Sequence, residues 1–305
     1  MTAVDGDMAP RLGVRVPASS ANLGPGYDVL AVALDLPLRI ATATFDGRRV
    51  VTVGEGADEL PGGDGNLIWR SVVAFCEVYG ADVPDVTLHC DNPIPLERGM
   101  GSSAAAVVAG LTLARRLTGV AVADQDVVDL ATQLEGHPDN VAAALLGGLV
   151  VAGTTGRSRR FEPTRGLRPL VCVPRERAST AAARHLVPQQ VPLSATVATA
   201  RRTALVLAGL TGMAAWDPSA MRDDVHEPPR LEAMASSRAL VDAARAAGLG
   251  ACLSGAGPSV LVVVDDDDRV TAGWLTEIAG EAWHVRELRW DRAGARVDEL
   301  IDHPA

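Results

Sequence analysis

The spacing of apolar residues in the first half of the chain predicts strands and helices in irregular succession. Apolar and polar residues alternate at residues 11–16, which is typical of a strand with one buried face, and residues 39–45, 48–53, 85–90 and 148–152 also predict strands. An apolar repeat of about three to four residues predicts helices at residues 66–79, 102–117 and 124–135, and a short one at residues 28–34. Asp46-Gly47 is a hairpin signal, and Asn66 and Asp124 are candidate helix N-caps.

The second half continues in the same way. It predicts strands at residues 170–173, 251–254, 259–264 and 283–288, and helices at residues 179–185, 194–210, 229–247 and 271–279. Because strands and helices do not alternate regularly, we expect the α+β class and not a doubly wound sheet. A length of 305 residues predicts two domains. The polar stretch 154–160 is typical of a domain-crossing or hairpin loop, and we expect domains 1–165 and 166–305.

The basic residues of this chain are all arginine. The sequence contains no lysine among its 28 basic residues, which excludes a Walker-type phosphate loop, a protein-kinase site and Schiff-base catalysis, because each of these needs a lysine. A cationic site for phosphate or carboxylate must then consist of arginine, a metal ion or main-chain N–H groups. The formal net charge of −10, without a basic run, also argues against nucleic-acid binding.

Other features of the composition point to a cytoplasmic protein without membrane contact. No apolar run reaches the ~18 residues that a membrane span needs, and the first ten residues lack the apolar core of a signal peptide. The four cysteines form no CxxC pair, so we expect buried, reduced thiols. The acidic run 265–268 lacks the alternating spacing of a calcium loop and is expected to be a solvated turn.

The first chemically informative motif is a glycine-rich segment that leads into a predicted helix. Residues 95–105 read Pro-Leu-Glu-Arg-Gly-Met-Gly-Ser-Ser-Ala-Ala. Gly99 and Gly101 allow close approach of the backbone to a ligand, and the two serines stand where free N–H groups and the helix dipole favour an anion. An ordinary capped helix is the alternative. We reject a dinucleotide-binding fingerprint, because residues 92–98 separate the glycines from the preceding strand.

The second motif, residues 135–140, reads Glu-Gly-His-Pro-Asp-Asn between two helical stretches. Glu135 and Ser103 together offer the oxygen ligands that Mg²⁺ prefers, and Asn140 or Asp139 can orient an attacking hydroxyl. The alternative is that Asp139 or Asn140 serves as a helix N-cap. Two further segments, residues 19–28 and 254–258, are rich in glycine and polar residues, and each is a weak signal alone.

Together and in this order, the segments resemble those of the GHMP kinases, a superfamily of ATP-dependent small-molecule kinases. The matching segments are residues 17–28, 99–105, 135–140 followed by Gly147-Gly148, and 254–258. The resemblance spans about residues 12 to 265. It implies two α+β domains with ATP in the cleft between them, the C-terminal one a ferredoxin-like α/β plait. The match is closest to members that phosphorylate the side-chain hydroxyl of L-homoserine in threonine biosynthesis, and it is compatible with a homodimer.

The resemblance also implies roles for individual residues. It implies an ATP-binding loop made of Pro95, Leu96, Glu97, Arg98, Gly99, Met100, Gly101, Ser102, Ser103, Ala104 and Ala105. It implies Ser103 and Glu135 for Mg²⁺, with Asp129 as the fallback for the acidic ligand. The implied substrate pocket consists of Asn22, Asp28, His137, Asn140, Thr180, Arg184, Arg230 and Gly255. The catalytic residues it implies are Asn140, Asp139, Ser103 and Glu135.

The charges and the hydroxyl group of homoserine match the side chains to which these roles are assigned. Homoserine is a zwitterion, so Arg184 and Arg230 are expected to bind its carboxylate, and Asp28 its ammonium group. Asn22 and Asn140 are expected to hydrogen-bond its hydroxyl. Tyr27 stands where Phe is usual in the family, and Ala143 where Pro is common; neither change removes a polar group. The alternatives are a GHMP kinase for mevalonate, a sugar or another amino alcohol, and a non-catalytic GHMP-fold sensor.

Overall fold

The computed structural model describes residues 12–153 and 157–299. The stretch 1–11, the end 300–305 and residues 154–156, which belong to the polar loop named above, lie outside the described residues. Within the described residues no helix combines the length and the apolar character needed to cross a membrane.

The first half of the chain contains four helices and six strands among its described residues. The strands are β1 (Leu12–Asn22), β2 (Gly26–Thr44), β3 (Val50–Gly54), β4 (Val86–Asn92), β5 (Leu149–Val151) and β6 (Arg159–Phe161). The helices are α1 (Leu67–Tyr79), α2 (Ser102–Thr118), α3 (Asp124–Glu135) and α4 (Pro138–Leu146). Asn66 caps α1 as predicted, because its side chain accepts a hydrogen bond from the N–H of Ile68 at 2.9 Å. The N-cap of α3 is Ala123, one residue before the predicted Asp124.

The second half follows the predicted order of elements. Its strands are β7 (Leu167–Pro174), β8 (Gly250–Leu253), β9 (Val260–Asp265), β10 (Trp283–Glu287) and β11 (Arg296–Glu299). Its helices are α5 (Thr180–His185), α6 (Leu193–Leu210), α7 (Glu227–Ala233), α8 (Ala235–Ala246) and α9 (Thr271–Ala279), with a 3₁₀ turn at Pro218–Met221.

Two sheets organise the molecule. The first has the strand order β11-β1-β2-β4-β3, with β5 beside β2 and β6 beside β5; its β3–β4 pair is parallel. The second has the order β10-β7-β9-β8, with antiparallel neighbours. Counted within the second half, these strands run 4-1-3-2 with helices between the first and second and between the third and fourth, which is the ferredoxin-like arrangement. The predicted α+β class is confirmed.

Helices α2 and α4 pack against β1 and β2, and α1 and α3 pack against α2. The alanines of α2 allow this close packing, since Ala104, Ala105 and Ala109 are fully buried beside Val107 and Leu111. The burial of these small and branched side chains fixes the first turn of α2 against the sheet.

The end of the chain connects the two sheets. Trp290 donates a hydrogen bond from Nε1 to the carbonyl of Leu167 in β7 at 2.6 Å, and its backbone forms an isolated bridge with Leu34 in β2. Strand β11 then pairs with β1, from Leu12 opposite Glu299 to Arg15 opposite Arg296. The last strand thus belongs to the first sheet, although it lies at the end of the second half of the chain. The domain boundary after residue 165 stays a prediction.

Three predicted elements were wrong. Residues 28–34 lie in β2 and not in a helix; Leu30 to Leu34 are buried without interruption, so no alternation marks the strand. The segments around Asp46-Gly47 do not form a hairpin, because β4 lies between β2 and β3. The helix predicted at 229–247 is broken at Met234, where neither proline nor glycine signals the break.

Candidate active site

The residues predicted for the phosphates and for the substrate line one cavity of about 140 Å³. The cavity is bounded by the β1–β2 turn, the glycine-rich loop, the α3–α4 turn, α5, α7 and the β8–β9 turn. Its lining residues include Asn22, Tyr27, Asp28, Pro95, Glu97, Arg98, Gly99, Met100, Gly101, Ser102, Ser103, Glu135, His137, Asp139, Asn140, Thr180, Arg184, Arg230, Gly255 and Ala256. Leu96 lines a neighbouring cavity, and Ala104 and Ala105 are buried beneath the loop.

The glycine-rich loop needs its glycines for space and for conformation. Gly99 and Gly101 have φ values of 71° and 69°, which other residues rarely adopt. A Cβ atom on Gly99 would lie 2.0 Å from the carbonyl oxygen of Ser254, and one on Gly101 would lie 2.1 Å from Oγ of Ser19. The loop therefore fits tightly between the β8–β9 turn and β1.

Helix α2 begins directly after this loop without a side-chain cap. Its N-cap is Gly101, and its first turn contains no acidic residue. The first N–H groups of a helix have no partner within the helix, and the helix dipole is positive there. Since Ser102 and Ser103 line the cavity, this helix start is suited to an anion.

Arg98 holds the loop in place. Its Nε donates to the carbonyl of Pro174 at 2.8 Å, Nη2 donates to the carbonyl of Arg175 at 2.8 Å, and Nη1 donates to the carbonyl of Leu96 at 3.1 Å. The bonds to Pro174 and Arg175 tie the loop to the end of β7, and the bond to Leu96 lies within the loop. Arg98 was predicted to bind ATP, but its guanidinium is engaged with main-chain carbonyls.

Ser103 and Glu135 contact each other beside the glycine-rich loop, at the start of α2. Oγ of Ser103 donates to Oε2 of Glu135 at 2.5 Å. Burial raises the pKa of Glu135, and the Ser103 hydrogen bond partly opposes this rise. Asp129, the fallback, bonds Gln125 and is not among the residues that line this cavity. Residues 12–153 and 157–299 contain no group of three or more His, Cys, Asp or Glu side chains suited to a metal ion.

The α3–α4 turn brings His137, Asp139 and Asn140 to the cavity. His137 is the N-cap of α4, so the alternative that Asp139 or Asn140 caps the helix was wrong. Asp139 is only 2% exposed, and one of its oxygens accepts the N–H of Asn140 at 2.7 Å. The same oxygen lies 3.3 Å from Nδ1 of His137, and this carboxylate raises the pKa of the imidazole against the effect of burial.

The side-chain amide of Asn140 is oriented by Ser19. Oγ of Ser19 donates to Oδ1 of Asn140 at 2.8 Å, and the N–H of Ser19 donates to the carbonyl of Met100 at 3.1 Å. With its oxygen bound in this way, Asn140 presents its NH₂ group as a hydrogen-bond donor.

Asn22 lines the cavity as predicted, and both ends of its side-chain amide are engaged. Its Nδ2 donates to the carbonyl of Gly255 at 2.8 Å, and its Oδ1 accepts the N–H of Asp28 at 3.1 Å. Both ends of the amide therefore bond the backbone. Asn22 joins the β1–β2 turn to the β8–β9 turn and holds Asp28 in its left-handed conformation, with φ of 55°.

Asp28 and Arg184 form a bidentate ion pair across the cavity. The distances are 2.8 Å from Nη1 to Oδ2 and 3.0 Å from Nη2 to Oδ1. The hydrogen bonds to Asp28 raise the pKa of Arg184. Arg184 lies on the short helix α5, which Ser179 caps by accepting the N–H of Ala182 at 3.4 Å. The two groups predicted for the two charges of a zwitterion are thus paired with each other.

Arg230 lies at the back of the cavity and is only 2% exposed. Its Cζ is 5.2 Å from the centroid of the Tyr27 ring, and that of Arg184 is 5.6 Å away. Both guanidinium groups therefore flank one aromatic ring.

Ser19, Tyr27 and His226 were missed as contributors to this site. Ser19 and Tyr27 lie in the segment 17–28, in which only amide and carboxylate side chains were predicted to bind a ligand. His226 lies four residues before Arg230, so helical spacing was the available signal.

Known proteins are similar to this chain over nearly its whole length. The family models "GHMP kinases N terminal domain" and "GHMP kinases C terminal" match residues 66–148 and 209–274. The homoserine kinase of Streptomyces avermitilis is 40% identical over 294 residues, which cover 93% of this chain and 94% of that protein. The homoserine kinase of Leifsonia xyli is 41% identical over 298 residues, which cover 95% and 92%.

A solved structure has the same architecture. The crystal structure of homoserine kinase from Cytophaga hutchinsonii superposes with a TM-score of 0.84 at 25% identity, covering 97% of this chain and 100% of that one. With two matching family models and relatives near 40% identity over most of their length, the chain belongs to the GHMP kinases, and within them to the homoserine kinase family.

Proposed function

We propose that this enzyme transfers the γ-phosphate of ATP to the side-chain hydroxyl of L-homoserine and forms O-phospho-L-homoserine. The observation that carries the proposal is the shared cavity, in which the start of α2 faces Arg184 and Arg230. One end of the cavity suits a polyphosphate, and the other suits an amino acid. Such a reaction belongs to threonine biosynthesis, and we propose the cytoplasm as its setting.

The chain contains no lysine to bind the phosphates, so main-chain N–H groups supply part of the positive potential at this end of the cavity. The N–H groups at the start of α2 and the positive-φ glycines before it form an anion-binding concavity. The neighbouring cavity of about 330 Å³, lined in part by Leu60, Ile68 and Leu96, adjoins the loop. We propose that Pro95–Ala105 wraps the phosphates of ATP.

The residues present fit a magnesium ion. Oγ of Ser103 and Oε2 of Glu135 are hard oxygen donors on the cavity wall and would hold the ion together with phosphate oxygens and water. When bound, Mg²⁺ neutralises the charge that accumulates on the phosphate oxygens during transfer. Glu135 is our choice of acidic ligand over Asp129.

The amino-acid end carries balanced charges. A zwitterion can separate Asp28 from Arg184, because its ammonium group replaces the guanidinium and its carboxylate binds Arg184 and Arg230. The substrate would then restore each charge pair that it breaks. Thr180, on the same helix as Arg184, and His137 complete this wall of the cavity.

In-line transfer needs position more than a strong base. Asn140 can donate a hydrogen bond from its NH₂ group to the substrate hydroxyl oxygen and so direct a lone pair at the γ-phosphate. Asp139 is buried, and one of its oxygens accepts the N–H of Asn140. We therefore give Asn140 the orienting role and keep Asp139 as the candidate acceptor of the hydroxyl proton.

Mevalonate and sugars are the competing substrates within the superfamily. Neither carries an ammonium group, so either would leave Asp28 without a cationic partner once Arg184 turned to the ligand. A GHMP-fold sensor without activity would not need the Ser103–Glu135 pair. Both features favour the amino-acid kinase.

An ADP-release assay with L-homoserine, ATP and Mg²⁺ tests the proposal, with mevalonate, galactose and L-serine as competitors. We expect kcat/KM for L-homoserine to exceed that for mevalonate or galactose by at least about 100-fold, since a site rejects strongly a ligand that leaves its polar groups unpaired. For L-serine we expect a deficit of about 10- to 100-fold, because its side chain is one methylene shorter. Phosphorus NMR of the product identifies the phosphate ester. Equal turnover of mevalonate, or no turnover of any alcohol, would refute the proposal.

Replacing Asn140 tests its orienting role. We expect Asn140→Ala to lower kcat by about 100-fold and to change the KM for ATP by less than about threefold, because the lost hydrogen bond aims the hydroxyl and does not hold the nucleotide. Steady-state kinetics with varied ATP separates the two effects. Equal changes in kcat and in the KM for ATP would contradict the role.

A further inference from the structure

We propose that His226 is a positioning residue for the substrate carboxylate, because its imidazole holds Nη1 of the Arg230 guanidinium and thereby keeps Nη2 available to the cavity. The proposal rests on the proposed function, since it refines the role given there to Arg230.

Arg230 is held at two of the three nitrogens of its guanidinium group. Nε donates to the carbonyl of Ala183 at 3.2 Å, and Nη1 contacts Nδ1 of His226 at 3.0 Å and the carbonyl of Gly255 at 3.4 Å. Among the residues that the structure describes, Nη2 shows no hydrogen-bond partner, although Arg230 lines the cavity. The Nη2 group is therefore available to a carboxylate, and its direction depends on the groups that hold Nε and Nη1.

The contact between Arg230 and His226 determines the tautomer of the imidazole. A guanidinium only donates hydrogen bonds, so Nδ1 of His226 must accept. The proton of the neutral ring is then on Nε2, which lies 2.7 Å from the carbonyl oxygen of Gly24 and donates to it. His226 thus connects the turn after β1 with the arginine one helical turn further along α7.

His226 is itself rigidly placed. Its ring stacks on Tyr27 with centroids 4.9 Å apart, and its side chain is 1% exposed. Its backbone N–H donates to Oδ2 of Asp223 at 2.6 Å, and the same oxygen accepts the N–H groups of Val225 and Glu227. The ring is held by Tyr27 and by the carbonyl of Gly24, and the backbone of His226 is held by Asp223. The imidazole can therefore fix the guanidinium that it contacts.

The surroundings keep the imidazole neutral. Burial lowers the pKa of His226, and the charge of Arg230 acts in the same direction, whereas Asp223, 3.6 Å from Nε2, and Asp28 oppose the shift. A second proton on Nδ1 would remove the acceptor and set two N–H groups against each other. The neutral ring and the orientation of Arg230 therefore depend on one another.

Two substitutions separate hydrogen bonding from ring packing. His226→Gln keeps an acceptor and a donor but loses the ring, whereas His226→Phe keeps a ring to stack on Tyr27 but loses both hydrogen bonds. We expect His226→Phe to raise the KM for L-homoserine by about 10- to 100-fold. The KM for ATP and kcat should change by less than about threefold. His226→Gln should stay within about fivefold of the unmodified enzyme in all three constants.

A double-mutant cycle shows whether His226 acts through Arg230. In an Arg230→Ala background, His226→Phe should change the KM for L-homoserine by less than about twofold, because the group that it orients is gone. Effects that multiply would overturn the proposal. So would the reverse order of the single variants, with Phe tolerated and Gln impaired.

A third measurement needs no substrate and separates this inference from the proposed function. We expect ¹⁵N-edited NMR of the histidine rings to show His226 as the Nε2–H tautomer at pH 7.5, and still neutral at pH 6, below the ordinary histidine pKa of about 6.5. The signal is assigned by its loss in His226→Gln. A protonated ring at pH 6, or the Nδ1–H tautomer, would overturn the inference even if L-homoserine proves to be the substrate. If L-homoserine is not phosphorylated, the proposed function fails, and this spectrum still decides the pairing.

Discussion

At the scale of single residues, the site depends on side chains that orient other side chains. Ser19 fixes the amide of Asn140, and Asn22 fixes the turn that carries Asp28. The bonds from Ser19 to Asn140 and from Asn22 to Gly255 join segments that are more than a hundred residues apart in the sequence. Polar groups held at both ends lose little freedom when a substrate arrives, which is how a site is organised before it binds.

The contact of Ser19 gives a prediction at this scale. Ser19→Ala leaves Oδ1 of Asn140 without its donor, so the amide can rotate and present the wrong atom to the hydroxyl. We expect kcat to fall by about 10-fold, with the KM for ATP unchanged within about twofold. Ser71→Ala is the matched control, because its Oγ bonds the carbonyl of Leu67 inside α1. A Ser19→Ala enzyme as active as the control would contradict this role.

At the scale of elements, α2 connects the core to the cavity. Its alanines pack closely on the sheet, and its first turn opens on the ligand side. Glycines with nearly equal backbone angles stand at its two ends, since Gly101 and Gly119 both have φ of 69°. They differ in their surroundings: a Cβ atom on Gly101 would meet Ser19, whereas one on Gly119 would meet nothing within 4 Å.

Gly101 and Gly119 allow a controlled test of the glycine-rich loop. Gly101→Ala and Gly119→Ala each force alanine into the left-handed region, which costs about 1 kcal/mol of the free energy of unfolding. Gly101→Ala must also displace the loop or β1. We therefore expect Gly101→Ala to raise the KM for ATP by at least about 10-fold and Gly119→Ala to leave it unchanged. Urea denaturation gives the stability of both, and similar ATP kinetics in the two variants would refute the tight fit of the loop.

Much of the element order was predictable from the sequence, and the failures have physical causes. Amphipathic helices such as α1 and capped starts such as Asn66 follow from local patterns. Residues 28–34 failed because a strand buried on both faces has no alternation to detect. The position of β4 between β2 and β3 depends on pairing across the whole chain, which no local signal such as Asp46-Gly47 records.

The sequence predicted most of the residues that line the cavity, but it did not predict which of them contact each other. Motifs with special backbone geometry identified the residues that share the cavity. Which of them contact each other was not predictable, because Asp28 and Arg184 are 156 residues apart and meet only through the fold. The ligand contacts expected of Asn22 and Arg98 stay predictions. The bonds of both side chains to the backbone were not predictable, because a single sequence does not show which main-chain groups lie near them.

At the scale of the whole molecule, the end of the chain holds the two sheets together. Trp290 bonds Leu167 in the second sheet and bridges to Leu34 in the first. The cavity lies among loops from both halves, so its geometry depends on how the sheets are joined. A residue far from the cavity can therefore be as necessary to it as a residue of its wall.

Replacing this tryptophan tests the connection. We expect Trp290→Ala to lower the free energy of unfolding by about 3–5 kcal/mol, because it is 7% exposed and loses a buried hydrogen bond as well as packing. Trp274→Ala, on the half-buried face of α9, should cost less than about 2 kcal/mol. Urea denaturation followed by circular dichroism measures both. Equal losses would show that Trp290 packs locally and does not join the sheets.

The ion pair of Asp28 with Arg184 has a consequence for the behaviour of the enzyme in salt. A homoserine molecule brings one charge of each sign, so its arrival exchanges partners without adding net charge to the cavity. Dissolved ions screen attraction at a distance, and a ligand without net charge gains little from such attraction. We expect the KM for L-homoserine to vary by less than about twofold between ~20 and ~300 mM KCl, while the KM for ATP rises, as initial rates at constant Mg²⁺ would show. A steep rise for L-homoserine would mean that the cavity attracts only one of the two charges, and the enzyme would then be sensitive to the ionic conditions of the cell.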